Sequence, residues 1–172
     1  MKSIVIYSSL TGNTKQVAEA ITSVLPADTP CVSMKEVPSD LSSYDLVFAG
    51  FWVDKGTANK EARDVLGTLH NPYIALFATA GVPPQMAHAK ESLINAANCL
   101  PDGVEPVGTF ICQGKVDPKV IEMMYKMFPK GHSHGQSADR DARHKQAAVH
   151  PNEDDFKAAQ DFAQHILAKL DR

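Results

Sequence analysis

The sequence predicts an α/β fold, a three-layer sandwich around a five-stranded parallel sheet in the order 2-1-3-4-5. Three observations carry this. Short apolar runs rich in β-branched and aromatic residues recur at 3–7, 31–34, 44–50, 73–79 and 106–112. Segments with helical spacing separate most of them, so strands alternate with helices and right-handed crossovers make the sheet parallel. The first strand also runs directly into a polar loop, Ser8-Ser9-Leu10-Thr11-Gly12-Asn13-Thr14, that opens the first helix. In sheets of this order the ligand crevice lies beyond the carboxyl ends of strands 1 and 3.

The chain of 172 residues reads as a single domain, long enough to bury a sizeable core. An apolar fraction of 44% with 22% charged residues is that of a soluble globular protein. A net charge of −3 gives no footprint for nucleic acid. No apolar run reaches the length of a membrane span and no signal peptide opens the chain, so no membrane partner is expected. Cys31, Cys99 and Cys112 are odd in number and form no CxxC pair. They read as reduced thiols of a cytoplasmic protein.

Taken in order, Ile4-Val5-Ile6-Tyr7 forms the core of the first strand, and Val17, Ala18, Ile21, Val24 and Leu25 recur on one face of a helix over 13–25. Pro26 and Pro30 bracket a turn before the short strand at 31–34. A brief helical turn at 39–41 precedes the buried strand 44–50, and 60–69 is helical. The strand at 73–79 and a helix over 85–99 follow, and 106–112 is the fifth strand.

The loop after the first strand has a chemistry of its own. Hydroxyl side chains and one glycine sit where a helix N-terminus offers unpaired N–H groups and a partial positive charge. That combination cradles a phosphate. The loop lacks the Gly-Lys-[Ser/Thr] of a nucleotide P-loop and the three glycines of a dinucleotide fingerprint. With no lysine or arginine inside it, it suits one phosphate monoester. The alternative, read from the loop alone, is a hydrophilic turn in which Thr11 or Asn13 caps a helix.

Ser9-Leu10-Thr11-Gly12-Asn13-Thr14 resembles the phosphate loop of the flavodoxin family, [ST]-x-T-G-x-T, at the position where flavodoxins carry it. The resemblance covers most of residues 1–115 and the final helix. It implies a flavodoxin-like sandwich that binds flavin mononucleotide (FMN) non-covalently, with the phosphate in this loop. It also implies that the loops after strands 3 and 4 wall the flavin ring.

The first of these loops holds Phe51, Trp52, Val53, Asp54 and Gly56. An aromatic face matches a flat flavin ring. Adjacent residues on an extended segment point opposite ways, so one of Phe51 and Trp52 is core and the other, Trp52 by preference, faces the ligand. Asp54 is either a charge that disfavours electron uptake by the ring or a solvated loop residue. In flavodoxins a peptide of this loop flips to accept a hydrogen bond from the ring nitrogen N5, and Gly56 marks where such a turn would lie. The second wall, Thr79-Ala80-Gly81, lacks an aromatic and offers backbone hydrogen bonds to the ring edge. Gln113-Gly114-Lys115, after the fifth strand, is either a solvated stop or a cofactor or partner contact.

The chain departs from a short flavodoxin at 116–150. A helix over 116–128 carries three methionines, which read as core filler or as a pliable partner surface. A mildly basic segment follows and reads as a mobile surface loop. Its histidines, His132, His134, His144 and His150, match no metal-ligand spacing, so no metal is expected. After Pro151, Phe156, Ala159, Phe162, Ala163, Ile166, Leu167 and Leu170 form the core stripe of a final helix.

No side chain has the partner and position of a general acid or base, so no catalytic residue is named. The expected function is an electron carrier that holds one FMN and passes electrons to a larger redox partner, a reductase. The near-balanced charge, unlike the strong acidity of general carriers, favours a dedicated partner. The layout, in particular 50–57 and 110–115, also resembles the small flavodoxin-like proteins associated with bacterial bilirubin reductase. The rival expectations are an FMN-dependent NAD(P)H quinone or nitro reductase and a binding domain that has lost its flavin.

Overall fold

A computed structural model describes residues 1–171. Its sheet is built from β1 (Ser3–Tyr7), β2 (Cys31–Ser33), β3 (Leu46–Asp54), β4 (Thr57–Ala58), β5 (Tyr73–Ala80) and β6 (Gly108–Gln113). The helices are α1 (Asn13–Thr22), α2 (Lys60–Leu66), α3 (Ala87–Ala97), α4 (Pro118–Met127), α5 (Ala138–Ala147) and α6 (Glu153–Leu170). The parallel strands run β2-β1-β3-β5-β6, which is the expected 2-1-3-4-5 order once the small β4 is set aside. Among the described residues no helix is long and apolar enough to cross a membrane.

The period-2 alternation of the strands divides the core into two layers. Ile4, Ile6, Val47, Ala49, Phe51, Ile74, Leu76 and Ala78 face α2 and α3. Val5, Leu46, Phe48, Ala75 and Phe77 face α1 and α6. Near-continuous apolar runs are what a parallel sheet covered on both faces requires. Gly50 shows how tightly the second layer is filled: a Cβ there would stand 2.1 Å from a ring carbon of Phe77.

Two expectations need correction. The segment 51–54 is not a loop. β3 runs on through all four: Phe51 and Trp52 pair parallel with Ala78 and Thr79 of β5, and Val53 and Asp54 pair antiparallel with Ala58 and Thr57. Lys55 and Gly56 close that hairpin, both with positive φ, 50° and 77°. This is the backbone of a two-residue primed turn, which glycine accommodates readily.

The segment 129–150 is not a loop either. It holds α5, whose first turn is capped by the Ser137 side chain accepting from the Arg140 N–H. The Tyr125 hydroxyl of α4 donates to the Asp141 carboxylate of α5 at 2.9 Å and lies 3.1 Å from Nδ1 of His144. Burial and the neighbouring Arg140 cation hold His144 below the usual histidine range. Between the helices, His132 stacks on Phe128 with ring centroids 4.6 Å apart. The Arg140 guanidinium donates to the Ser133 carbonyl.

Candidate flavin site

The carboxyl ends of β1, β3, β5 and β6 open into one cleft of about 390 Å³. Leu10, Thr11 and Asn13 line it from the β1–α1 loop, and Trp52, Val53, Asp54 and Lys55 from the end of β3 and its hairpin. Thr79, Ala80 and Gly81 come from the end of β5, which lies between β3 and β6 in the sheet. Gly114, Lys115, Val116, Asp117 and Val120 line the cleft from the far side.

The β1–α1 loop is shaped by Gly12, which stands at φ 96° immediately before α1. Ser9 turns its hydroxyl oxygen inward and accepts from the Gly12 N–H at 3.1 Å and the Lys15 N–H at 3.3 Å. The N–H groups of Thr11, Asn13 and Thr14 find no acceptor among the described residues. They remain available at the positive end of a helix dipole. No basic side chain stands inside the loop, and Lys15 pairs outward with Glu19 at 3.8 Å. A donor set of backbone N–H groups and hydroxyls fits a phosphate monoester.

Thr14 is buried, and its hydroxyl lies 2.9 Å from that of Thr79 at the end of β5. This bond ties the start of α1 to the floor of the cleft. Beneath the loop, Asn59 donates to the Ser8 hydroxyl at 2.8 Å, and that hydroxyl donates in turn to the Glu61 carboxylate. The side-chain amide oxygen of Asn59, Oδ1, is buried without a partner among the described residues.

The alternation of β3 separates Phe51 from Trp52. Phe51 is fully buried in the α2/α3 layer, whereas Trp52 is half-buried and lines the cleft. Gly56 sits at the hairpin tip and does not line it. The Gly56 carbonyl accepts from the Asn95 side-chain amide of α3 at 2.8 Å. Asp54 is half-buried at the rim beside Lys55.

The far wall was largely missed by reading the sequence. The Asn13 amide donates to the Lys115 carbonyl at 2.8 Å, which draws the segment after β6 against the β1–α1 loop. A Cβ on Gly114 would stand 2.9 Å from that amide. A Cβ on Gly81 would meet a Val116 methyl at 2.6 Å. The available signal was Asp117-Pro118, a capping residue followed by proline at the first helical position. It starts α4 directly above the carboxyl edge of the sheet, where a ligand crevice is expected. His132 and His134 pack on each other and on Phe128, whereas His144 meets Tyr125 and His150 meets Asp155. Among the described residues no group of three metal-ligating side chains gathers.

The family model described as Flavodoxin domain matches residues 4–164. The chain is 35% identical over 176 residues to the flavodoxin-like domain-containing protein BilS of Clostridioides difficile (strain CD3), covering 98% of each. It is 34% identical over 179 residues to the protein of the same description in Clostridium symbiosum (strain WAL-14163), covering 94% of each. Among solved structures, a flavodoxin of Streptococcus pneumoniae TIGR4 superposes with a TM-score of 0.58 at 15% identity, covering 98% of this chain and 99% of that one. A flavoprotein of Lactobacillus acidophilus NCFM, solved in complex with FMN, superposes with a TM-score of 0.50 at 19% identity over 64% of this chain and 93% of that one. The sheet order, the loop at the end of β1 and a family match spanning nearly the whole molecule agree: the chain belongs to the flavodoxin family.

Proposed function

We propose that this protein binds FMN non-covalently and carries electrons to a dedicated partner reductase. The observation that carries the reading is that one cleft joins a set of unpaired N–H groups to a slot bordered by Trp52. The phosphate would be held by Ser9, Thr11 and the N–H groups of Thr11, Asn13 and Thr14. The flavin ring would lie toward Trp52, Val53 and the Thr79-Ala80-Gly81 backbone, with Val116 and Val120 beyond. FMN supplies reversible one- and two-electron chemistry when bound. The chain's own part is to hold the ring in a partly apolar slot and leave one edge open to a partner.

The likeness to the BilS proteins, with the sequence resemblance to flavodoxin-like proteins associated with bacterial bilirubin reductase, supports a bilirubin-reducing enzyme as recipient. The test is an absorbance spectrum of FMN-loaded protein during stepwise anaerobic reduction, with NADH added to a second, oxidised sample. Bound flavin that reduces through a stable one-electron stage and ignores NADH is the expected result. Direct two-electron bleaching by NADH would make the protein a quinone or nitro reductase instead. Absence of any flavin binding would overturn the reading.

A further inference from the structure

Helix α4 has no buried residue. Ile121 and Met124 are half-buried, and a separate stripe at helical spacing runs from Val116, just before the helix, through the more exposed Val120, Met123 and Met127. Val120, Met123 and Met127 are 40%, 56% and 66% exposed. The stripe begins inside the cleft, since Val116 and Val120 line it together with Leu10, itself 68% exposed. An uncovered apolar surface that grows out of a binding cleft marks an interaction site.

The charge around the stripe says what covers it. Residues 115–150 hold seven Lys and Arg against four Asp and Glu, whereas the rest of the chain holds ten against sixteen. Lys115, Lys119 and Lys130, at the two ends of the stripe, are exposed and make no ion pair among the described residues. A basic border on an otherwise acidic protein is complementary to an acidic surface.

We propose that the α4 stripe and its lysines dock a partner protein whose contact surface is apolar at the centre and acidic at the rim. This rests on the electron-carrier reading above and adds the kind of partner it serves. A second copy meeting the stripe about a two-fold axis would set lysine against lysine. A membrane surface would be met by Trp, Phe or Leu on such a face, and the stripe of α4 is valine and methionine. Met side chains adapt to a partner's relief at little cost, and the partner's redox centre is brought to the open side of the cleft.

The test uses FMN-loaded protein reduced with dithionite and two haem proteins as probes, acidic cytochrome b5 and basic cytochrome c. Each transfer takes one electron from the reduced flavin and converts ferric to ferrous haem, the flavin proton passing to solvent. Wild type is expected to reduce cytochrome b5 faster than cytochrome c at low ionic strength, with the advantage fading as salt rises. Lys119→Glu with Lys130→Glu should slow transfer to cytochrome b5 about tenfold and speed transfer to cytochrome c. Met123→Ser with Met127→Ser should slow cytochrome b5 while leaving the salt dependence in place.

FMN affinity, read by fluorescence quenching, should be unchanged in both variants, because none of the four residues lines the cleft. Loss of FMN binding in wild type would refute the carrier reading itself. Intact FMN binding with variants as fast as wild type, or a preference for cytochrome c, would overturn the docking surface alone. So would lysine-dependent sedimentation of the protein with phosphatidylserine vesicles, which would assign the stripe to a membrane.

Discussion

The side-chain amide of Asn13 donates to the backbone carbonyl of Lys115 at 2.8 Å, bridging 102 positions of sequence. The Lys115 N–H in turn donates to the His150 carbonyl at 2.8 Å. One residue therefore ties the β1–α1 loop to both ends of the 115–150 excursion. Asn13→Ala removes one hydrogen bond of about 1 kcal/mol, so FMN affinity should fall about fivefold. Asn13→Asp should cost more, because it sets a carboxylate against both the Lys115 carbonyl and the phosphate. Titration by flavin fluorescence checks this; equal affinities in all three proteins would show that the tether does not bear on the cofactor.

Gly50→Ala should destabilise the fold by about 3 kcal/mol, the usual scale of overpacking in a filled core. The added methyl would stand 2.1 Å from one carbon of the Phe77 ring and 2.2 Å from the next. The Phe77 ring is fully buried within its layer, so it has no open side to turn into. Thermal unfolding should show a midpoint lower by roughly 6–12 °C for a domain of this size.

The Thr14–Thr79 hydroxyl pair is buried and lies 2.9 Å apart. Thr14→Val keeps the shape and strands the Thr79 hydroxyl, at a cost of about 1–3 kcal/mol. Thr14→Val with Thr79→Val removes both hydroxyls, strands neither, and should be more stable than either single change. Urea unfolding of the four proteins gives the coupling directly. Additive losses would mean that the two hydroxyls do not rely on each other.

Cys112 sits in β6 beneath the cleft. Burial, reinforced by the Asp155 carboxylate, pushes its thiol from 9.0 up to about 12. The native state therefore keeps the proton over a range in which the unfolded chain releases it. Stability from this thiol is intact below pH 9 and falls as pH rises toward 12. Urea midpoints of wild type and Cys112→Ala should run parallel up to pH 9 and converge or cross above it. The folded protein should also leave Cys112 unmodified by a thiol reagent at pH 8, and unfolding should expose it.

Much of this molecule was legible in its sequence, for local reasons. The strands show as apolar runs bounded by turn residues, and the phosphate loop follows one of them without interruption. The elements that escaped depend on distant or weak signals. β3 continues through Phe51 and Trp52 because Ala78 and Thr79 of the distant β5 pair with them, and through Val53 and Asp54 because Ala58 and Thr57 fold back, with the Lys55–Gly56 turn a faint cue between. α5, Ala-Asp-Arg-Asp-Ala-Arg-His-Lys-Gln-Ala, has almost no apolar stripe; its cap at Ser137 and its contacts with Tyr125 hold it. The far wall of the cleft is made by Val116 and Val120, valines that look like any others until Asn13 draws their segment across.

The bond from the Lys115 N–H to the His150 carbonyl closes the excursion at its base. Thirty-four residues leave the sheet and return to it at one point, and no strand of the sheet lies within them. The arrangement is that of a cassette on a chassis. The outward face of the cassette can be rewritten while β6 and α6 stay joined as they are, so that surface can change without disturbing the sheet or the cleft wall at Val116 and Val120.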